Sequence, residues 1–143
     1  MTEKYTTNSQ AETERLGEKI AKRMIAGDVI AFFGGLGAGK TALCRGILRG
    51  LGYTGDVTSP TFSIVNEYRG GTLDAAHFDM YRIQDEQDLY STGFYDYLDG
   101  RFVVLIEWSE NIAFALEDSY IQIKMDEDEN MENREITVEG LRQ

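Results

Sequence analysis

The stretch Val29-Ile30-Ala31-Phe32-Phe33-Gly34-Gly35-Leu36-Gly37-Ala38-Gly39-Lys40-Thr41 decides the reading of this 143-residue chain. Its first five residues form a continuous apolar run, the pattern of a strand buried on both faces in a parallel sheet. Its last eight, 34–41, fit G-x-x-x-x-G-K-[ST], the P-loop. Glycines let the backbone wrap closely around phosphate, and the helix N-terminus that follows adds partial positive charge. In such a loop Lys40 would neutralise β- and γ-phosphate oxygens, and the Thr41 hydroxyl would ligate Mg2+. Leu43, Ile47 and Leu51 recur at helical spacing and Gly52 stops them, so strand, glycine loop and helix follow one another.

Upstream, Ser9 and Glu12 have capping-box spacing, and Leu16, Ile20 and Met24 repeat every four residues. With Gly27 as a stop, this predicts a helix over 10–26, entered from Thr6. Downstream, Thr61 to Tyr68 alternates as a strand, Gly70-Gly71 signals a hairpin turn, and Leu73 to Tyr81 returns as a second strand. Asp85 to Asp99 carries five acids and four aromatics and reads as a short helix and loop. Arg101 to Trp108 contains the second buried run, Phe102 to Ile106, again a central parallel strand. Ile121, Ile123 and Met125 alternate, as do Ile136 and Val138, which predicts an antiparallel pair joined by the acidic loop Asp126 to Asn133. No repeat or linker interrupts the chain, and the lone proline is Pro60. The expected architecture is α/β: a single P-loop NTPase domain over 1–143, its central parallel sheet flanked by antiparallel strands and helices.

Composition bounds the function. A hydrophobic fraction of 42% and a charged fraction of 27% are ordinary for a soluble globular protein. The single cysteine, Cys44, permits no internal disulfide and fits a reducing cytoplasm, where it reads as a small buried hydrophobe. No apolar run approaches the ~20 residues of a membrane span, and the polar N-terminus lacks a signal-peptide core. The net charge of −11 is unevenly spread. Residues 1–52 hold eight Lys/Arg against five Asp/Glu (+3), whereas 53–143 hold six against twenty (−14). Such an acidic chain is a poor nucleic-acid binder on its own, since phosphate contacts come from Lys and Arg. The first third can still hold a small anion.

A P-loop needs an acid at the end of a neighbouring strand for Mg2+. Glu107, directly after Phe102 to Ile106, supplies one. Asp79 is the second candidate; alternation puts it on one face with His77 and Tyr81. Taken alone, His77 reads as structural. The combination of GGLGAGKT at 34–41, SPTF at 59–62, HFDMYR at 77–82 and IEW at 106–108 resembles the bacterial TsaE (YjeE/YdiB) family over nearly the whole chain. These are ATPases required for threonylcarbamoyladenosine formation in tRNA. The resemblance implies a small P-loop domain that binds ATP or ADP with Mg2+. Thr41 and Glu107 would hold the metal, and Asp79 would position the attacking water, so Asp79, Lys40 and Glu107 are the catalytic candidates. Gly37, Ala38, Gly39, Lys40, Thr41 and Ala42 would hold the nucleotide, with Arg134 and Thr7 beside the adenine. Ser59, Pro60, Thr61 and Phe62 would form a switch-like segment, and Trp108 matches a tryptophan needed for function. The implied partners are TsaD and TsaB, with tRNA met only indirectly and no membrane. The chain departs from the family in carrying Gly35 where Asp is usual and Ala42 where a second Thr is usual. The second change removes a hydroxyl within reach of the α-phosphate.

Other functions leave other marks. A GTPase carries N-K-x-D, and none occurs here. A small-molecule kinase needs extra arginines over its acceptor, but beyond Arg49 only Arg69, Arg82, Arg101, Lys124, Arg134 and Arg142 remain. A nucleotide-dependent adaptor without turnover stays open as the alternative.

Overall fold

The computed structural model describes residues 2–34, 39–57, 60, 64–116, 120–127 and 133–142. Strands β1 (Thr2–Thr7), β2 (Val29–Phe33), β3 (Val65–Tyr68), β4 (Ala75–Asp79), β5 (Val103–Glu107), β6 (Ile121–Glu127) and β7 (Arg134–Glu139) form one sheet, ordered β1-β7-β6-β2-β5-β4-β3. The inner four are parallel, because β2 pairs in parallel with both β5 and β6, and β4 with β5. The flanking pairs β1–β7, β6–β7 and β3–β4 are antiparallel. The parallel centre, the antiparallel flanks and the β6–β7 pair are as expected, and β1 is added to them.

Helices α1 (Gln10–Ala21) and α2 (Lys40–Gly50) cover one face; Leu16, Ile20, Leu43, Ile47 and Leu48 meet Ile30, Phe32, Val103 and Leu105 there. The short α3 (Glu86–Ser91) and the 3-10 turns Phe94–Leu98 and Ser109–Ala115 lie against the other face, where Leu89, Phe94 and Ile112 pack on Phe78, Val104 and Ile106. Strand pleating alternates the two sets, so β5 is buried along its whole length. That explains the continuous apolar runs in β2 and β5. It also places Ala75, His77 and Asp79 on the face of α1 and α2, with Val103, Leu105 and Glu107 beside them.

The capping box at Ser9 and Glu12 forms. Ser9 Oγ accepts from Glu12 N at 3.1 Å, and the Glu12 carboxylate reaches back to the Asn8 amide. Three expectations shift. Helix α1 stops at Ala21 rather than near residue 26, because i→i−3 bonds from Arg23 and Met24 tighten the chain and Gly27 turns at φ +94° to donate to Phe102 O. Thr6 and Thr7 end strand β1 rather than opening the helix. Residues 73–74 and 80–81 fall outside β4.

β1 is a polar edge strand held by pairing with β7 and by Glu3, whose carboxylate meets Arg23 at 2.6 Å. The Arg23 guanidinium, helped by the Tyr5 hydroxyl, lowers the Glu3 carboxyl from 4.5 to about 2. A depressed carboxyl contributes stability above its unfolded value and loses it as pH falls towards the folded one. The melting-temperature gap between wild type and Glu3→Gln is therefore expected to be full above about pH 4.5 and to close towards pH 2. A gap that does not change with pH contradicts this.

α1 and α2 cross backbone to backbone. A Cβ on Gly46 would stand 2.0 Å from Glu14 O, and one on Gly17 would stand 2.6 Å from Leu43 O. Gly46→Ala is expected to cost about 1–3 kcal/mol through overpacking, read from denaturant midpoints. A wild-type midpoint would contradict the packing.

Candidate active site

The site lies at the carboxyl ends of the parallel strands, where open α/β sheets bind ligands. At the end of β2, Gly34 (φ +147°) passes so close to β6 that a Cβ would lie 2.3 Å from Met125 O; only glycine fits. Gly39 (φ +91°) opens α2 as an N-cap with no side-chain cap bond, so the helix N-terminus keeps backbone donors for an anion. A Cβ on Gly39 would sit 3.6 Å from Arg134 Nε, which puts the first residue of β7 over the mouth of the loop. Thr7 is opposite Arg134 in the β1–β7 register, but it is buried and its hydroxyl shares a 2.7 Å hydrogen bond with Thr13 Oγ1. Thr41 and Ala42 stand in the first turn of α2, the first partly exposed and the second buried.

Lys40 is buried, with 6% of its surface exposed. Its Nζ donates to Gly34 O at 3.0 Å and lies 4.9 Å from the centroid of the Trp108 ring. Trp108 takes φ 60°, turning the chain out of β5, and Tyr81 packs on its ring at 4.9 Å. Asn111 Nδ2 donates to Met80 O at 2.9 Å and ties this turn to the end of β4.

Asp79 and Glu107 face each other in the β4–β5 register. Asp79 Oδ1 accepts from Tyr81 N at 2.9 Å. Burial, reinforced by the Glu107 charge, still raises its carboxyl above the ordinary 3.8, against the pull of that amide and of Lys40. Glu107 is buried, and its Oε2 lies 2.6 Å from His77 Nε2. Cys44 is buried beneath them, its thiol pushed well up by burial and then by the Glu107 charge.

Donor atoms of Cys44, His77 and Glu107 fall within 4.8 Å of one another. The 2.6 Å contact is a hydrogen bond, because two ligands at about 2.1 Å from a tetrahedral ion stand roughly 3.4 Å apart. His77 Nδ1 has no partner among the described residues. A buried polar atom left unpaired costs about 1–3 kcal/mol. A carboxylate only accepts, so the hydrogen bond runs from His77 Nε2 to Glu107 Oε2.

Magnesium takes hard oxygen ligands, and phosphate takes cations and helix N-termini. Lys40, the opening of α2, Thr41 and the two adjacent carboxylates fit that pair. Pro60 is buried, and its carbonyl accepts from Ile64 N at 2.9 Å. Ile64 O in turn accepts from Asp79 N at 2.8 Å. Ile64 holds φ +68°, a costly conformation for a β-branched residue, between residue 60 and the Asp79 strand. Gly37, Ala38, Ser59, Thr61 and Phe62, expected to contact nucleotide or switch, lie outside the described residues. Sequence reading set His77 aside as structural; its signal was its place two residues before Asp79, on the same face.

A strand, glycine loop and helix on a parallel sheet, with acids at the neighbouring strand ends, define a P-loop α/β protein. The family profile "Threonylcarbamoyl adenosine biosynthesis protein TsaE" matches residues 7–136, and the chain belongs to that family. The protein named tRNA threonylcarbamoyladenosine biosynthesis protein TsaE in Bacillus subtilis is 39% identical over 120 residues, 84% of this chain and 75% of the relative. Its namesake in Haemophilus influenzae is 36% identical over 127 residues, 85% of this chain and 80% of the relative. The crystal structure of YdiB from Bacillus subtilis superimposes with a TM-score of 0.83 at 33% identity, covering 96% of this chain and 84% of that one.

Proposed function

We propose that this chain binds ATP with Mg2+ and hydrolyses it, slowly on its own, to drive a larger enzyme that attaches threonylcarbamoyl to adenosine 37 of tRNA. The observation that carries the reading is the convergence of Lys40, Asp79 and Glu107 beside the uncapped start of α2. Backbone N–H groups from Gly37 to Ala42 hold the phosphates, and Lys40 leaves Gly34 O for the β- and γ-oxygens. Thr41 and Glu107 hold the metal, which supplies charge neutralisation when bound. The raised carboxyl of Asp79 makes it a stronger base than an ordinary aspartate, suited to orienting water. Arg134, with Thr7 behind it, borders the base of the nucleotide.

The family name supports the tRNA modification, and the net charge of −11 supports partners that carry the tRNA contact. We assign TsaD and TsaB as those partners, with Trp108 and the 59–62 segment towards them, in the cytoplasm. Among the described residues no helix is long and apolar enough to cross a membrane. ATP turnover measured with and without TsaB and TsaD tests this. Turnover that rises with them supports an ATPase; nucleotide binding with no turnover in either case favours the adaptor. A small-molecule kinase would instead release ADP only with an added acceptor.

A further inference from the structure

His77 is fully buried on β4, and among the described residues its ring makes one hydrogen bond, Nε2 to Glu107 Oε2 at 2.6 Å. Its other nitrogen is unpartnered among the described residues. On the same face of the sheet Ala75, Val103 and Leu105 are apolar, Asn66 stands opposite His77 in the β3–β4 register, the acid pair lies above it, and Cys44 is a buried thiol. An apolar side chain would suit that setting better, since it leaves no orphaned nitrogen. The one thing His77 provides that an apolar residue cannot is a donor fixed against one oxygen of Glu107.

We infer that His77 is a positioning residue for the metal: its Nε2–H locks the Glu107 carboxylate so that the other oxygen is presented to Mg2+. This rests on the nucleotide and metal reading of the site. Carboxylate ligands need such partners because a free carboxylate rotates about its last bond, and ordering it on binding weakens the metal. The pleat makes the device possible. His77 lies two register positions below the Asp79–Glu107 pair, on the same face of the sheet, so its ring meets Glu107 from the side away from the strand ends.

The test compares His77→Leu, His77→Gln and His77→Asn by titrating ADP with and without Mg2+, read through Trp108, the chain's single tryptophan. The Gln amide nitrogen reaches the position of Nε2, whereas that of Asn reaches only the position of Nδ1. Wild type is expected to bind ADP more tightly with Mg2+. His77→Leu and His77→Asn should lose about 10- to 100-fold in Mg2+ affinity while keeping metal-free ADP binding, and His77→Gln should recover most of the loss. Gln and Asn are alike in polarity and burial, so their contrast stands even if the Leu variant folds poorly. Equal Mg2+ affinity in Gln and Asn, or an unaltered Leu variant, overturns the inference while leaving the site reading intact. A wild type indifferent to Mg2+ overturns both.

Discussion

Lys40→Ala is expected to weaken ATP binding by about 10- to 150-fold. Charge-assisted hydrogen bonds contribute about 1.5–3 kcal/mol, and every 1.4 kcal/mol is a factor of ten. The structure adds a correction to what the motif alone implies. A P-loop lysine reads from sequence as a free charge whose removal leaves the fold untouched, yet Lys40 is buried, bonded to Gly34 O and stacked on Trp108. Truncation to Ala therefore also removes packing, and the melting temperature should fall. Lys40→Met keeps most of the stem and removes the ammonium, with its bond to Gly34 O. It should melt above Lys40→Ala and show the same loss of affinity. Titration calorimetry giving equal affinity for wild type and Lys40→Met would contradict the phosphate role.

Asp79→Asn is expected to leave ATP binding nearly unchanged and to slow hydrolysis by about 10²- to 10⁴-fold, the usual worth of a positioned base. Glu107→Gln should behave differently. The metal loses an anionic partner, so nucleotide binding becomes less dependent on Mg2+. Single-turnover hydrolysis and Mg2+ titrations on both variants separate the two acids. Lost binding with intact turnover in Asp79→Asn would show that the roles are reversed.

The parts of this fold that were legible in sequence are those where local pattern and burial agree. Val29 to Phe33 and Phe102 to Ile106 are apolar throughout because helices or turns cover both faces of β2 and β5. Ser9 and Glu12 announce α1 because a cap is chemistry within four residues. β1 was not legible, since its residues are polar and half-exposed and it is ordered by β7, more than a hundred residues away. The early end of α1 depends on Phe102 accepting from Gly27, again a distant partner. The same division runs through the site. Lys40, Thr41, Asp79 and Glu107 are read from residue type and spacing. The His77–Glu107 bond depends on the parallel register of β4 and β5, which no local pattern encodes.

On the proposed function, this site turns over ATP to sustain tRNA modification. The direct measurement is threonylcarbamoyladenosine formed on tRNA over many turnovers, with TsaB, TsaD and threonylcarbamoyl-adenylate supplied, comparing wild type, Lys40→Met and no added chain. Continued product is expected with wild type, and arrest after about one turnover in the other two. Equal yields in all three would contradict it.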